Sequence, residues 1–326
     1  MPLVEPLLNV ISEEDLLVLC LTDVLPGIPI HAALVESFDK QKAPNEHKIL
    51  IERNPIVYTF SMTTFSQCTL RSFGGRNRSL AQAIVIGVYE DAEDGTPLDA
   101  SSCERQEVYS LCQDIAERNQ WPQAICGHET TRENFASRCD ANIIHLTCHY
   151  QSSADTNSQN IFTSGILLGD GQSQVRESIS GDSSSDSTFI GPPQVSDRIF
   201  WVEDIFHHDF KASHISLIAC NSATSYTTKG DEPLGFVSAL LCRVVNSVLA
   251  TSWKIPSSSG RACSSRFYGA FDFGAPKPVD LAMALQNTVK SIREEKIDMQ
   301  APYHWAGYAL HGTWHLRPGE AHPTAM

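Results

Sequence analysis

Short apolar runs bounded by polar residues recur along the chain and predict buried strands. Most positions in these runs are apolar, which is typical of strands covered on both faces in a largely parallel sheet. The five clearest runs are Leu16–Leu21, Ile84–Tyr89, Ile143–Cys148, Ile215–Cys220 and Ser247–Ser252.

Segments with helical spacing lie between these runs. Apolar residues recur at intervals of three and four in Glu104–Arg118 and again in Leu281–Ile292. Thr130 followed by Glu133 is a capping-box signal for a short helix that runs to Cys139. Alternating strands and helices predict an α/β fold with a mainly parallel central sheet and helices on both faces. Functional groups in such a sheet are expected at the carboxyl ends of the strands.

Two stretches depart from this alternation. The first 80 residues are punctuated by prolines and show only a short extended pair, Lys48–Ile51 and Ile56–Phe60. We interpret residues 1–80 as a small subdomain or as the edge of the same sheet, and residues 81–326 as the main domain. Residues 169–197 are dominated by Gly, Ser, Asp and Gln, which predicts a long mobile loop.

The net charge of the chain indicates which classes of binding partner to expect. The chain has 24 Lys and Arg against 38 Asp and Glu, a formal net charge of −14. A surface that neutralises phosphates needs clustered positive charge, so nucleic acid and anionic membranes are not expected as partners. A negative field attracts basic partners instead.

Membrane insertion and secretion are also not expected. The longest apolar stretch is Phe236–Trp253, and Arg243 and Asn246 interrupt it. A membrane span needs roughly 18 to 20 uninterrupted apolar residues, which this stretch does not supply. No Lys or Arg precedes Lys40 and several acidic residues lie near the N-terminus, unlike a secretory signal. We therefore expect a cytoplasmic protein.

The ten cysteines do not form a disulfide framework, because they are spread irregularly and no CxxC pair occurs. Most lie in apolar settings, where a thiol serves as a small core residue. Cys20, Cys112, Cys148 and Cys242 are accordingly expected to be buried.

Two predicted strands end in residues that can carry chemistry, His149 and Cys220. If these strands are neighbours, their ends meet. A nearby imidazole favours the thiolate, which is the nucleophilic form, and can later protonate a leaving amine. The alternative from spacing alone is a core thiol and a surface histidine. A metal site with His145, Cys148 and His149 is disfavoured, because nearby carboxylates are absent and a closed zinc site needs four ligands. We expect neither a metal nor another cofactor.

Five sequence blocks, in order and with matching spacing, resemble the CHAT family of caspase-like proteases. Weaker similarity occurs at residues 21–34 and 49–61, so the resemblance covers nearly the whole chain. The blocks are 143–149 (IIHLTCH), 217–224 (LIACNSAT), 231–241 (DEPLGFVSALL), 247–253 (SVLATSW) and 301–314 (APYHWAGYALHGTW).

The resemblance implies a caspase-hemoglobinase fold and a cysteine endopeptidase with a His149–Cys220 dyad. It implies that the backbone N–H groups of Tyr150 and Cys220 form the oxyanion hole, a type of donor worth roughly 3 to 4 kcal/mol each. Residues 1–80 then correspond to a pseudo-protease-like subdomain or sheet edge, and residues 81–326 to the catalytic domain. A glycine commonly follows the family's histidine, whereas this chain has Tyr150. Its side chain is expected to crowd the cleft or to force a φ that glycine tolerates more easily.

The resemblance also suggests a protein substrate, with a regulatory repeat domain or partner protein as a further candidate. Programmed cell death or defence, with gasdermin-like substrates, is the suggested setting. Asp155 and Asp231 are candidates for substrate binding and favour a basic or neutral residue before the scissile bond. The alternatives are an inactive interaction domain and a metal-dependent or other enzyme on the same scaffold.

Overall fold

The computed structural model describes most of the chain. The described residues are 4–21, 27–36, 46–73, 83–89, 98–151, 164–169, 198–219, 222–223, 225–226, 234–271, 277–295 and 299–317.

Strands alternate with helices along the described residues. The strands are β1 Leu17–Cys20, β2 Ile56–Thr59, β3 Ala83–Gly87, β4 Ile125–Cys126, β5 Ile143–Gln151, β6 Gly165–Leu167, β7 Ile199–Trp201, β8 His214–Ala219, β9 Ser225–Tyr226, β10 Leu234–Gly235, β11 Ser247–Thr251, β12 Val279–Asp280, β13 Tyr308–Gly312 and β14 His315–Leu316. The helices are α1 Glu5–Leu8, α2 Leu50–Arg53, α3 Met62–Phe73, α4 Leu98–Arg118, α5 Arg132–Ala136, α6 Val202–His207, α7 Phe236–Arg243, α8 Ser257–Gly269, α9 Leu281–Arg293 and α10 Pro302–Trp305.

A central sheet organises the described part of the chain. Its strand order is β1-β2-β13-β11-β8-β5-β3-β4, and β6 and β7 extend it from β5. The strands β11, β8, β5, β3 and β4 run parallel to one another, while β13 runs antiparallel to β11. The predicted mainly parallel sheet is therefore confirmed.

Two apolar cores cover the two faces of this sheet. Alternate residues of β3 divide between them, because Val85 belongs to one core and Ile84 to the other. The first core includes α4, α8 and α9, and the second includes α3, α5, α6 and α7. The expectation of helices on both faces is confirmed.

The prediction of an extended segment at Lys48–Ile51 is wrong. Ile49 makes a single bridge to Leu34, and the chain then turns into α2. The Ile49 N–H donates to the Glu52 carboxylate at 3.4 Å, which favours the helical turn. Leu50 and Ile51 are buried in this helix, and a short buried apolar run does not by itself distinguish a strand from a helix.

The helix predicted from Thr130 to Cys139 is shorter and begins later. Its N-cap is Thr131, whose Oγ1 accepts from the Asn134 N–H at 3.2 Å, and it ends at Ala136. Thr130 is buried and instead donates its hydroxyl to the Gly127 carbonyl at 2.6 Å. Thr130 Oγ1 also accepts from the Gly169 N–H at 3.0 Å, and this tertiary contact leaves Thr131 as the cap.

The cysteines are less uniformly buried than predicted. Cys112 and Cys148 are buried as expected, but Cys20 and Cys242 are exposed. Cys20 ends an edge strand, and Cys242 lies near the end of α7. An apolar sequence neighbourhood therefore does not place every thiol in the core. Within the described ranges, every helix is too short or too polar to cross a membrane.

Candidate functional site

The site is organised by the register between β5 and β8. These parallel strands place Cys148 opposite Ala219, which is the last residue of β8. The next residue on β5 is His149, which is half-buried and pairs with Leu167 of β6. Cys220 follows Ala219 in sequence and lies outside the described residues, as do Asp155 and Asp231.

Ser222, two residues after Cys220, is buried and makes hydrogen bonds to the neighbouring strands. The Ser222 N–H donates to the Ala219 carbonyl at 3.0 Å. The Ser222 hydroxyl donates to the Leu217 carbonyl at 3.0 Å and accepts from the Thr251 N–H at 3.0 Å. Ser222 is fully buried, so these bonds fix the residues that flank position 220 against β8 and β11.

A cavity of about 490 Å³ opens beside His149. Its floor comes from the carboxyl ends of β5, β8 and β11, and its walls come from α4 and α8, as expected for a parallel sheet. The lining residues are Val88, Glu107, Val108, Leu111, Thr147, Cys148, His149, Ile218, Ala219, Thr251, Lys254, Ile255, Pro256, Ser257, Gly260 and Arg261.

The cavity carries charges of both signs. Glu107 and Lys254 are exposed, and Arg261 is partly exposed. The Arg261 guanidinium lies 3.4 Å from the Asp114 carboxylate, which partly offsets its charge. The position of Lys254, shortly after the predicted strand 247–252, is a signal that could have indicated this residue. Glu107 and Arg261 lie on helices and carry no comparable signal in the sequence.

Tyr150 does not crowd this cavity. Its ring packs edge-on against Phe236 of α7, with centroids 6.3 Å apart, and Tyr150 is not among the lining residues. It lies in the extended strand β5, opposite Ile166 of β6, and its φ is not positive. Among the described residues, the Tyr150 ring thus lies outside the cavity lining, and its backbone is extended without a positive φ.

A buried polar network lies under the cavity floor. His145 Nε2 is 3.0 Å from Thr147 Oγ1, and its Nδ1 is 3.2 Å from the Tyr268 hydroxyl. Burial lowers the pKa of His145 from 6.5 to about 3. The imidazole is therefore neutral near pH 7 and connects the cavity floor to α8. The bonds to Tyr268 and Thr147 give His145 a structural role in this buried network.

A second neutral histidine lies beside this network. His214 bonds Ser247 and Ser216, both at 2.9 Å, and burial lowers its pKa to about 3, with His145 contributing. Among the described side chains, no three His, Cys, Asp or Glu residues are grouped so as to hold a metal ion.

A smaller cavity of about 30 Å³ contains a histidine pair that sequence reasoning missed. The Tyr58 hydroxyl lies 2.7 Å from His31 Nδ1, and the His311 ring stacks on Phe60 with centroids 5.4 Å apart. Burial lowers the pKa of both His31 and His311 to about 4. These residues lie far apart in sequence, and their local patterns give no signal of the contact.

The comparisons with known proteins support the sequence resemblance. A family model for the CHAT domain matches residues 2–313, so the prediction of a CHAT family member is confirmed. No curated protein matches the sequence.

Several solved structures are similar to the chain at low sequence identity. The separase–securin complex of Saccharomyces cerevisiae gives a TM-score of 0.47 at 11% identity, covering 82% of this chain and 14% of that chain. The Arg-specific cysteine proteinase gingipain R gives a TM-score of 0.45 at 12% identity, covering 82% of this chain and 55% of that chain. The complex of Porphyromonas gingivalis RgpB pro- and mature domains gives 0.43 at 11% identity, with the same coverage of 82% and 55%. The chain thus spans only part of these proteins' length.

Proposed function

Because the chain belongs to the CHAT domain family, we propose that it is a cysteine endopeptidase that uses His149 and Cys220 as a dyad. The observation that carries the proposal is the parallel register of Cys148 with Ala219. His149 follows Cys148 within β5, just past the β5–β8 pairing, and Cys220 follows Ala219 in sequence. The cavity beside His149 offers room for a substrate side chain.

In the proposed reaction, the Cys220 thiolate attacks the carbonyl carbon of the scissile peptide bond. His149 accepts the thiol proton and then donates it to the leaving amine, which gives an acyl-enzyme. A water molecule, deprotonated by His149, hydrolyses this thioester and frees Cys220. The backbone N–H groups of Cys220 and Tyr150 are the proposed donors to the oxyanion. Packing of the Tyr150 ring against Phe236 keeps that side chain out of the cavity.

The proposed substrate is a protein, and the proposed location is the cytoplasm. Asp155 and Asp231 remain candidate substrate-binding residues. Programmed cell death or defence, with a gasdermin-like substrate, is the setting that the family resemblance suggests. A regulatory repeat domain or partner protein is a further proposed contact.

The test is cleavage of a peptide library by the full chain, compared with Cys220→Ala and His149→Ala. Each substitution is expected to reduce kcat/KM by several orders of magnitude, and the double variant to be little worse, because the two groups act as a unit. Cys242→Ala is the matched control, since this cysteine is exposed on α7. Unchanged cleavage by Cys220→Ala would refute the proposal and favour a catalytically inactive interaction domain.

A further inference from the structure

Two cysteines from different elements meet over a glycine. Cys112 lies in α4 and Cys126 ends β4, and both face Gly87 at the end of β3. A Cβ atom placed on Gly87 would lie 2.7 Å from Cys112 Sγ and 3.2 Å from Cys126 Sγ. Both sulfurs therefore lie against the same point on the backbone, and any side chain larger than hydrogen at residue 87 would displace them.

The two thiols differ in environment. Cys112 is completely buried, whereas Cys126 is partly accessible. The Cys112 thiol donates a hydrogen bond that lowers the pKa of Cys126, and the Gly87 backbone adds to this effect. The same hydrogen bond, followed by burial, raises the pKa of Cys112. Cys126 is therefore the more acidic and more accessible thiol, and Cys112 is the protonated neighbour.

We propose that Cys112 and Cys126 form a reversible disulfide when the protein meets hydrogen peroxide. The Cys126 thiolate attacks one peroxide oxygen, the O–O bond breaks, and hydroxide leaves and is protonated to water. The Cys112 sulfur then attacks the Cys126 sulfenic acid, which forms the S–S bond and releases a second water molecule. Two thiols are oxidised and one peroxide is reduced. A thiol reductant reverses the step by exchange.

The position of the pair connects it to the cavity beside His149. Val108 lies one helical turn before Cys112, packs against Gly87, and lines that cavity together with Leu111. A disulfide requires an S–S separation of about 2.05 Å, so its formation draws this turn of α4 toward β4. The wall of the cavity moves with it. The expected effect on cleavage rests on the proposed function, but the disulfide itself does not.

Peptide mapping of the full-length wild-type protein tests the disulfide without measuring activity. Trypsin releases residues 106–118 and 119–132, each of which contains a single cysteine. After peroxide treatment and blocking of free thiols, the two peptides are expected as one species, lighter by two hydrogens than their sum. Reduction should release both. Cys139, which is buried in α5's C-terminal turn region, should remain unoxidised as the matched control.

Two variants assign the bond to this pair. Cys112→Ser and Cys126→Ser should each eliminate the cross-linked peptide, while thermal melting shows whether the variant is folded. The wild-type map decides the question even if a variant does not fold. Oxidation of Cys126 to sulfinic acid with Cys112 still free, or a cross-link from either cysteine to a different one, would overturn the proposal.

Discussion

Thr251 donates its backbone N–H to the Ser222 hydroxyl at 3.0 Å, which ties the end of β11 to the residues that follow β8. The Ser222 hydroxyl also donates to the Leu217 carbonyl, and the Ser222 N–H donates to the Ala219 carbonyl. These contacts make Ser222 a positioning residue for the proposed nucleophile, because they fix the chain on both sides of residue 220.

Ser222→Ala should lower kcat more than it changes KM. Loss of the hydroxyl leaves the buried Thr251 N–H without its acceptor, which should also cost about 1 to 3 kcal/mol of unfolding free energy. Steady-state kinetics and urea unfolding measure the two effects. Ser238→Ala is the matched control, since Ser238 is a buried serine whose hydroxyl accepts from the Gly235 N–H at 2.7 Å. A kcat loss in Ser238→Ala equal to that in Ser222→Ala would indicate a purely structural role.

The charged lining of the cavity should influence substrate preference. If a basic substrate side chain enters the cavity, Glu107→Gln should reduce kcat/KM for arginine peptides and Lys254→Gln should raise it. Both charges are exposed, so each effect should be within about 0.2 to 1 kcal/mol, or roughly five-fold at most. Peptide-library profiling of the three proteins measures the preference. A strict requirement for aspartate before the scissile bond would contradict the expected basic or neutral preference.

Stability should decrease as the pH falls below the ordinary histidine pKa. Burial lowers the pKa of His145 and His214 from 6.5 to about 3, and that of His31 and His311 to about 4. The unfolded chain therefore binds more protons than the folded chain below pH 6.5, and the stabilisation is lost as the pH falls toward the folded pKa. Each of these imidazoles should lower the free energy of unfolding by about 2 kcal/mol as the pH falls from 6.5 to 5.

Urea unfolding at several pH values measures this dependence. His214→Gln should reduce the slope of unfolding free energy against pH by about one proton, or about 1.4 kcal/mol per pH unit. An unchanged slope in His214→Gln would show that His214 is not neutral in the folded protein.

The buried Arg293 links α9 to the N-terminal region. Its guanidinium pairs with Glu52 of α2, donates to the His47 carbonyl at 2.8 Å, and lies 5.2 Å from the Trp305 ring centre. Glu52→Gln removes a counter-ion of this buried cation and should destabilise the protein by about 3 kcal/mol. Denaturant unfolding measures the change.

A more exposed ion pair provides the control for this prediction. Arg266 and Glu295 pair on the surface, with side chains 27% and 40% exposed. Glu295→Gln should therefore cost less than about 1 kcal/mol. Equal losses in Glu52→Gln and Glu295→Gln would mean that burial of Arg293 adds nothing to its pairing.

The sequence patterns predicted the centre of the fold better than its periphery. The runs at 143–148 and 215–220 are mostly apolar, which fits the burial of β5 and β8 between two helical layers. His149 was chosen as a candidate because it follows the apolar run 143–148, where the carboxyl end of a strand was expected. The extension of β5 to Gln151 was not predicted, because it depends on pairing with β6 rather than on the composition of residues 149–151.

Contacts between distant segments account for what the sequence did not reveal. The cavity wall combines Glu107, Lys254 and Arg261, which no local pattern relates. Cys112 and Cys126 likewise meet only because α4 and β4 both pack at the end of β3. Even the choice of Thr131 over Thr130 as a helix cap depends on the contact of Thr130 with Gly169. Predictions from a single sequence do not include such pairings.

The strands β6 and β7 are paired, and a cut in the connection between them would divide the chain into two fragments. Residues 170–197, most of the predicted loop, join these two strands and lie outside the described residues, but Gly165–Leu167 and Ile199–Trp201 are antiparallel neighbours. A break in this connection would leave β5 and β6 on one fragment and β7 and β8 on the other. The fragments would stay associated through the β5–β8 and β6–β7 ladders. The nicked protein would then be a non-covalent heterodimer, with His149 on one subunit and Cys220 on the other.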